Sequence, residues 1–187
     1  MDAALKTGYE AHTVDEIIAL PEGERAELIN GVWYNMSAPS TDHQRLVGSI
    51  YRRISNYIEA KGGKCEPFVA PFAVFLNKDK YNYVEPDISV ICDKDKLKND
   101  GCHGAPDWII EIVSPASYKM DYMIKMLKYG TSGVSLYWIV DPAKKIIRVL
   151  DYKNEETFDY TFEDVVPAAL YQDFEIDFKE IASDITG

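Results

Sequence analysis

Two acids and an amine offer the most definite chemistry in this chain. Val84-Glu85-Pro86-Asp87-Ile88-Ser89-Val90-Ile91-Cys92 alternates as a strand does, sending Val84, Pro86, Ile88, Val90 and Cys92 to one face and Glu85, Asp87 and Ser89 to the other. Asp87 thus belongs to a polar face. Asp107-Trp108-Ile109-Ile110-Glu111-Ile112-Val113 is apolar on both faces, with Glu111 between Ile109 and Val113, the pattern of a strand covered on each side. A carboxylate placed there is protonated, paired with a base or bound to a cation, because an isolated buried charge is too costly. The amine is Lys125, on a helix expected from Tyr118 to about Gly130. There Tyr118, Tyr122, Lys125 and Tyr129 form one stripe, and Met120, Met123, Ile124 and Leu127 form another. Gathered at one point, Asp87, Glu111 and Lys125 would suit a hard divalent cation that polarises a phosphoryl oxygen, the ammonium orienting water or offsetting charge. Blander readings stand beside this one: Glu111 ion-paired, Asp87 a turn acid, and Lys125 the i+4 surface partner of Asp121, worth about 0.3–0.5 kcal/mol.

Several elements must position these groups. Thr13-Val14-Asp15-Glu16 is a capping box opening a short, peripheral helix to Leu20, stopped by Pro21 and Gly23. Glu27 to Met36 predicts two short strands about Asn30-Gly31, a pair that accepts two positive φ values. Leu46, Val47, Ile50, Ile54, Tyr57 and Ile58 recur at helical spacing over His43 to Ala60, and Gly62-Gly63 closes that helix. Cys65 to Leu76, interrupted by Pro67 and Pro71, predicts an irregular or edge strand, and Asp93 to Pro106 a polar, mobile loop. Ser114-Pro115-Ala116-Ser117 breaks the second acid strand and opens the lysine helix. Leu136 to Val140 and Ile146 to Leu150 form a strand pair through Asp141-Pro142-Ala143-Lys144, with weaker strands at Thr157 to Phe162 and Phe174 to Phe178. Phe178 to Ile185 fits either a strand or a helix. Strands that mostly follow strands predict an α+β layout around a mixed central sheet flanked by helices.

At 187 residues and 47% hydrophobic, the chain can build one sizeable core, and a single domain over residues 1–187 is expected. A net charge of -11 opposes general attraction to nucleic acid, whose non-specific affinity comes from Lys and Arg on phosphates. Arg45, Arg52 and Arg53 could supply a local basic strip, although a solvated helix face explains them as well. Cys65, Cys92 and Cys102 are odd in number and poorly spaced for a disulfide framework or a zinc site, which suggests a reducing compartment. With neither a membrane-length apolar run nor a basic-then-apolar leader, a cytoplasmic location is expected. Phosphate-cradling glycine loops and a serine-hydrolase elbow are missing, and His12, His43 and His103 are scattered. The second apolar stripe of the lysine helix and the apolar pair Leu136 to Leu150 suggest a homodimer.

Seven motifs in order carry a resemblance. Glu27-Leu28-Ile29-Asn30-Gly31, His43-Gln44, Glu85-Pro86-Asp87, Gly104-Ala105-Pro106-Asp107, Glu111-Ile112-Val113-Ser114-Pro115, Asp121-x-x-x-Lys125-x-x-x-Tyr129 and Tyr137-Trp138-Ile139-Val140-Asp141-Pro142 together resemble the Uma-type endonuclease family, of the PD-(D/E)XK restriction-endonuclease-like superfamily. The resemblance spans about Glu24 to Leu150. It implies a restriction-endonuclease-like core that hydrolyses phosphodiester bonds in DNA with Mg2+ or Mn2+, in which Asp87 and Glu111 are metal ligands and the Ile112 carbonyl a third. It further implies Glu27 as an acid reaching the metal directly or through water, and His43, Gln44 and Tyr129 as groups near the substrate. One departure is that the usual lysine, two residues after the second acid, is replaced here by Val113; the resemblance assigns its role to Lys125. The rival function is a non-catalytic nucleic-acid-binding or protein-assembly module that keeps the fold.

Overall fold

The computed structural model describes residues 10–186. Helix α1, Val14–Ile18, carries the expected capping box between Thr13 and Glu16. Strands β1, Ala26–Ile29, and β2, Val32–Asn35, form the hairpin, with Asn30 at φ 52° and Gly31 at φ 76°. Helix α2, Thr41–Ala60, begins two residues earlier than its apolar spacing indicates, because Ser40 caps it by accepting from the His43 N–H at 3.2 Å. Strands β3, Glu66–Val69, β4, Val74–Phe75, and β5, Ile88–Ile91, follow, then β6, Leu97–Lys98, β7, Gly101–His103, and β8, Trp108–Ile112. A π-helical turn, Met120–Lys125, runs into α3, Met126–Ser132. The rest is β9, Leu136–Asp141, β10, Ile146–Asp151, β11, Glu156–Thr161, β12, Val165–Pro167, β13, Glu175–Asp177, and α4, Phe178–Thr186.

The expected α+β fold is present. Six strands form the central sheet in the order β11-β10-β9-β8-β5-β3, mixed because β8 and β9 are parallel while the other neighbours are antiparallel. A parallel pair needs a long crossover, and here the crossover is the lysine helix. One sheet face buries Ile88, Val90, Trp108, Ile110, Trp138 and Val140 against Leu46, Ile50 and Ile54 of α2 and Phe178 and Ile181 of α4. The other buries Ile91, Ile109, Tyr137 and Ile139 against Tyr129 and Val134 of the crossover. Glu111 therefore lies beneath a covered face, as its apolar neighbours require.

Two expectations are corrected and two further points are settled. Residues 93–106 are not a loose loop: β7 pairs in parallel with β4 and antiparallel with β6. The close approach depends on Gly101, at φ 137°, where a Cβ would stand 2.3 Å from the Ala73 carbonyl oxygen. Cys65 and Cys92 are joined by a disulfide, being the next cross-strand neighbours beyond the Glu66↔Ile91 pair. Sequence spacing hid this contact, and the cysteine count no longer argues for a reducing compartment. The open choice for residues 178–185 is resolved as a helix. The methionine stripe of the lysine helix is divided: Met120 and Ile124 pack on the core, whereas Met123 and Leu127 are exposed.

Candidate active site

Asp87 and Glu111 are brought together by strand register. Ile88 pairs with Ile110 across β5 and β8, so the next residues outward on the two antiparallel strands are Asp87 and Glu111. Two backbone groups hold the carboxylates there. The Ile112 N–H donates to Asp87 Oδ2 at 2.8 Å, and the Asp87 N–H reaches Glu111 Oε2 at 3.4 Å.

Glu27 arrives from β1. Its strand is anchored to Tyr83 by reciprocal backbone bonds between Leu28 and Tyr83, and the Glu85 N–H donates to Glu27 Oε1 at 3.0 Å. Lys125 arrives from the π-helical turn, with Nζ 2.9 Å from Glu27 Oε2 and 2.8 Å from Glu111 Oε1. Tyr129, one turn later and fully buried, donates its hydroxyl to the same Glu111 oxygen at 2.7 Å. It reaches the cleft only through Glu111, so the substrate contact expected of Tyr129 gives way to a positioning one. His43 opens α2 with Nε2 3.1 Å from Asp87 Oδ2. His43 and Gln44 both line a cleft of about 1440 Å3, as do Glu27, Asp87, Glu111 and Lys125.

The blander pairing of Lys125 with Asp121 on a helix surface is overturned. Both residues are buried, and the Asp121 carboxylate accepts from Ser117 Oγ at 2.6 Å rather than from Lys125. Asp121 is a site group whose face the i, i+4 spacing gave correctly and whose burial it did not: both side chains point onto the strands rather than into solvent. Arg25 and Glu85 were also missed. They form an ion pair on the cleft wall, reinforced by the Tyr83 hydroxyl at 2.7 Å from Glu85. The usable signal for Glu85 was its place in the Glu85-Pro86-Asp87 motif, whereas Arg25 has no distinctive pattern of its own.

Three carboxylates around one ammonium, with Asp87 beside Glu111, govern the electrostatics. Burial pulls the Lys125 amine down, but the charges of Glu111, Glu27 and Asp121 outweigh it and hold the amine well above its usual range, so it stays protonated. Burial pushes Glu111 up to about 8, against the pull of Lys125 and with help from Asp87 and Asp121. Lys125 does not cancel this rise because it is shared among several acids. Asp121 moves to about 6 for the same leading reason, burial. Burial also lowers His43, but its hydrogen bond to Asp87 and the Asp87 charge win, leaving it raised.

The donor set fits a hard cation that keeps several water ligands. Asp87 has one oxygen outside its bonds to Ile112 and His43, Glu111 Oε2 has only a long contact, and Ile112 lines the same cleft. Mg2+ commonly takes one or two carboxylates and fills its other positions with water and phosphate. Among the described residues no three His, Cys, Asp or Glu side chains form a ready-made cage, and both Glu27 oxygens are engaged by Lys125 and the Glu85 N–H. The strongest available ligands are therefore Asp87 and Glu111.

Comparison with known proteins adds two findings. The family model Uma2, described as "Putative restriction endonuclease", matches residues 14–178. A crystal structure described as a "putative nuclease belonging to DUF820" from Anabaena variabilis ATCC 29413 superposes with a TM-score of 0.76 at 22% identity, covering 92% of this chain and 98% of that one. At that identity the likeness speaks for the fold. No curated protein matches.

Proposed function

Because the chain belongs to the Uma2 restriction-endonuclease family, we propose that residues 1–187 form one restriction-endonuclease-like domain that hydrolyses phosphodiester bonds in DNA with Mg2+ or Mn2+. The observation that carries this reading is the convergence of Asp87, Glu111 and Lys125 from three separate elements, with Lys125 Nζ 2.8 Å from Glu111.

In this reading Asp87 and Glu111 hold the ion, the Ile112 carbonyl is the third donor, and Glu27 acts through Lys125 or through water. When bound, the ion supplies a polarised phosphoryl oxygen and an acidified water. Lys125 has three N–H donors and spends two on Glu111 and Glu27. The third is free to orient water or to meet charge developing on a phosphoryl oxygen. Tyr129 keeps Glu111 turned toward Asp87. His43 and Gln44, at the start of α2, face substrate phosphate, where the helix N-terminus also favours an anion.

Incubation of plasmid and single-stranded DNA with Mn2+ should give cleavage that EDTA abolishes. Asp87→Ala and Lys125→Ala should each lower the rate by about 10²- to 10³-fold or more. Metal-independent binding without cleavage would instead favour the module reading. A homodimer completes the proposal; a cytoplasmic location is kept without the cysteine argument, which the Cys65–Cys92 disulfide turns against it. Among the described residues no helix is long and apolar enough to cross a membrane, and exposed Met123 and Leu127 offer a dimer surface.

A further inference from the structure

We propose that the cleft takes an unpaired nucleic-acid strand and grips it by base stacking on Tyr118, an inference that rests on the nuclease reading and narrows its substrate. Tyr118 is 41% exposed and lines the same cleft as Asp87 and Glu111. Its ring is held in place. Tyr122 lies 4.7 Å away ring to ring, and Lys144 sits 4.2 Å from the Tyr118 centroid while donating to its hydroxyl at 2.7 Å. Trp33 and Tyr34 of β2, both half-buried, line the same cleft.

Charge separates the two kinds of strand. Duplex binding draws its affinity from Lys and Arg that neutralise several phosphates. In this cleft Arg25 is paired with Glu85, Lys125 is shared by Glu27 and Glu111, and the whole chain carries -11. The exposed Lys144 is the looser cation, 3.7 Å from Asp141 and donating to the Tyr118 hydroxyl, so the cleft offers one such amine rather than the repeated phosphate contacts a duplex uses. Rings offer another source of affinity. An unpaired strand can stack its bases on exposed aromatic faces, whereas a duplex keeps its bases inside. A strand seated on Tyr118 would pass its backbone across Asp87 and Glu111. DNA and RNA present the same unpaired bases, so both are tested.

Binding of fluorescein-labelled oligonucleotides of about 12 nucleotides, a length within reach of one small domain, is measured by anisotropy in Ca2+ and in EDTA. Cleavage is measured separately in Mn2+. Single-stranded DNA or RNA should bind at least about tenfold more tightly than the matching duplex. Tyr118→Ala should weaken the single strand by about tenfold, and Tyr118→Phe, which keeps the ring, by less than about twofold. The logarithm of affinity should fall with that of salt at a slope no steeper than about -2, reflecting few phosphate contacts. The exposed position of Tyr118 keeps these variants folded, which thermal melting checks. Equal or tighter duplex binding, unchanged affinity in Tyr118→Ala, a steep salt slope or no binding of either strand form would each overturn the platform. Single-strand binding without cleavage would overturn the nuclease reading and leave the platform standing. Duplex cleavage unaffected by Tyr118→Ala would do the reverse.

Discussion

At the residue scale, Lys125 is the hinge of the site. It carries the positive charge that lets Glu27 and Glu111 sit at 4% exposure each, yet it cannot neutralise the whole cluster. The raised Glu111 makes a testable linkage. The native state keeps its proton up to about pH 8, while the unfolded chain loses it near the ordinary 4.5. Native protein thus binds more protons across that window, so the stability from this group is full below 4.5 and is lost as pH rises toward 8. Glu111→Gln keeps an acceptor for Lys125 and Tyr129 but removes the titration. Its melting temperature should fall less than that of the wild type between pH 5 and 8, and Mn2+ should restore the wild type at the upper end. Parallel curves for the two proteins would exclude Glu111 as the titrating group. The need of Glu111 for a partner was legible from Ile109 and Val113 around it. That Lys125 would meet it was expected from the order of the motifs, and the two groups stand 2.8 Å apart; spacing alone left the blander pairing with Asp121 open.

At the element scale, three connections assemble the site: the β5–β8 register, the crossover helix with its π turn, and the bond between β1 and the segment at Tyr83. The hairpin was readable because Asn30-Gly31 has few alternatives in a tight turn. Its placement depends on Gly31, where a Cβ would stand 2.7 Å from the Ala11 Cβ and where φ is positive. Gly31→Ala should destabilise the protein by about 1–3 kcal/mol, measured by urea unfolding. It should also slow cleavage by displacing Glu27. A loss of stability with full activity would show that the hairpin does not set the position of Glu27. The π turn was not readable. Asp121 and Lys125 are four residues apart and share a face, so the burial of Lys125 against the strands carries Asp121 inward with it.

At the scale of the whole molecule, the apolar strands Leu136–Asp141 and Ile146–Asp151 are spent inside the central sheet, so they contribute nothing to a dimer. What remains is the pair Met123 and Leu127, 60% and 68% exposed, four residues apart on the crossover. Two exposed side chains make a small patch. If it does bury against a second copy, light scattering should show twice the chain mass at high micromolar concentration, and Met123→Lys with Leu127→Lys should return the monomer. A monomer throughout would remove the dimer. The acidic surface, in turn, means that any nucleic acid must be recognised within the cleft rather than by long-range attraction over the whole face.

Alternation and apolar runs determined the α+β plan, the two acid-bearing strands and the burial of Glu111, because side-chain periodicity and the cost of a buried charge act locally. Motif order determined the family. Tertiary structure alone decided that β3 and β5 align Cys65 with Cys92, that residues 93–106 pair with β4, and that Asp121 turns inward while Tyr118 turns out. Each of these depends on contacts between segments distant in sequence, which leave no periodic trace along the chain.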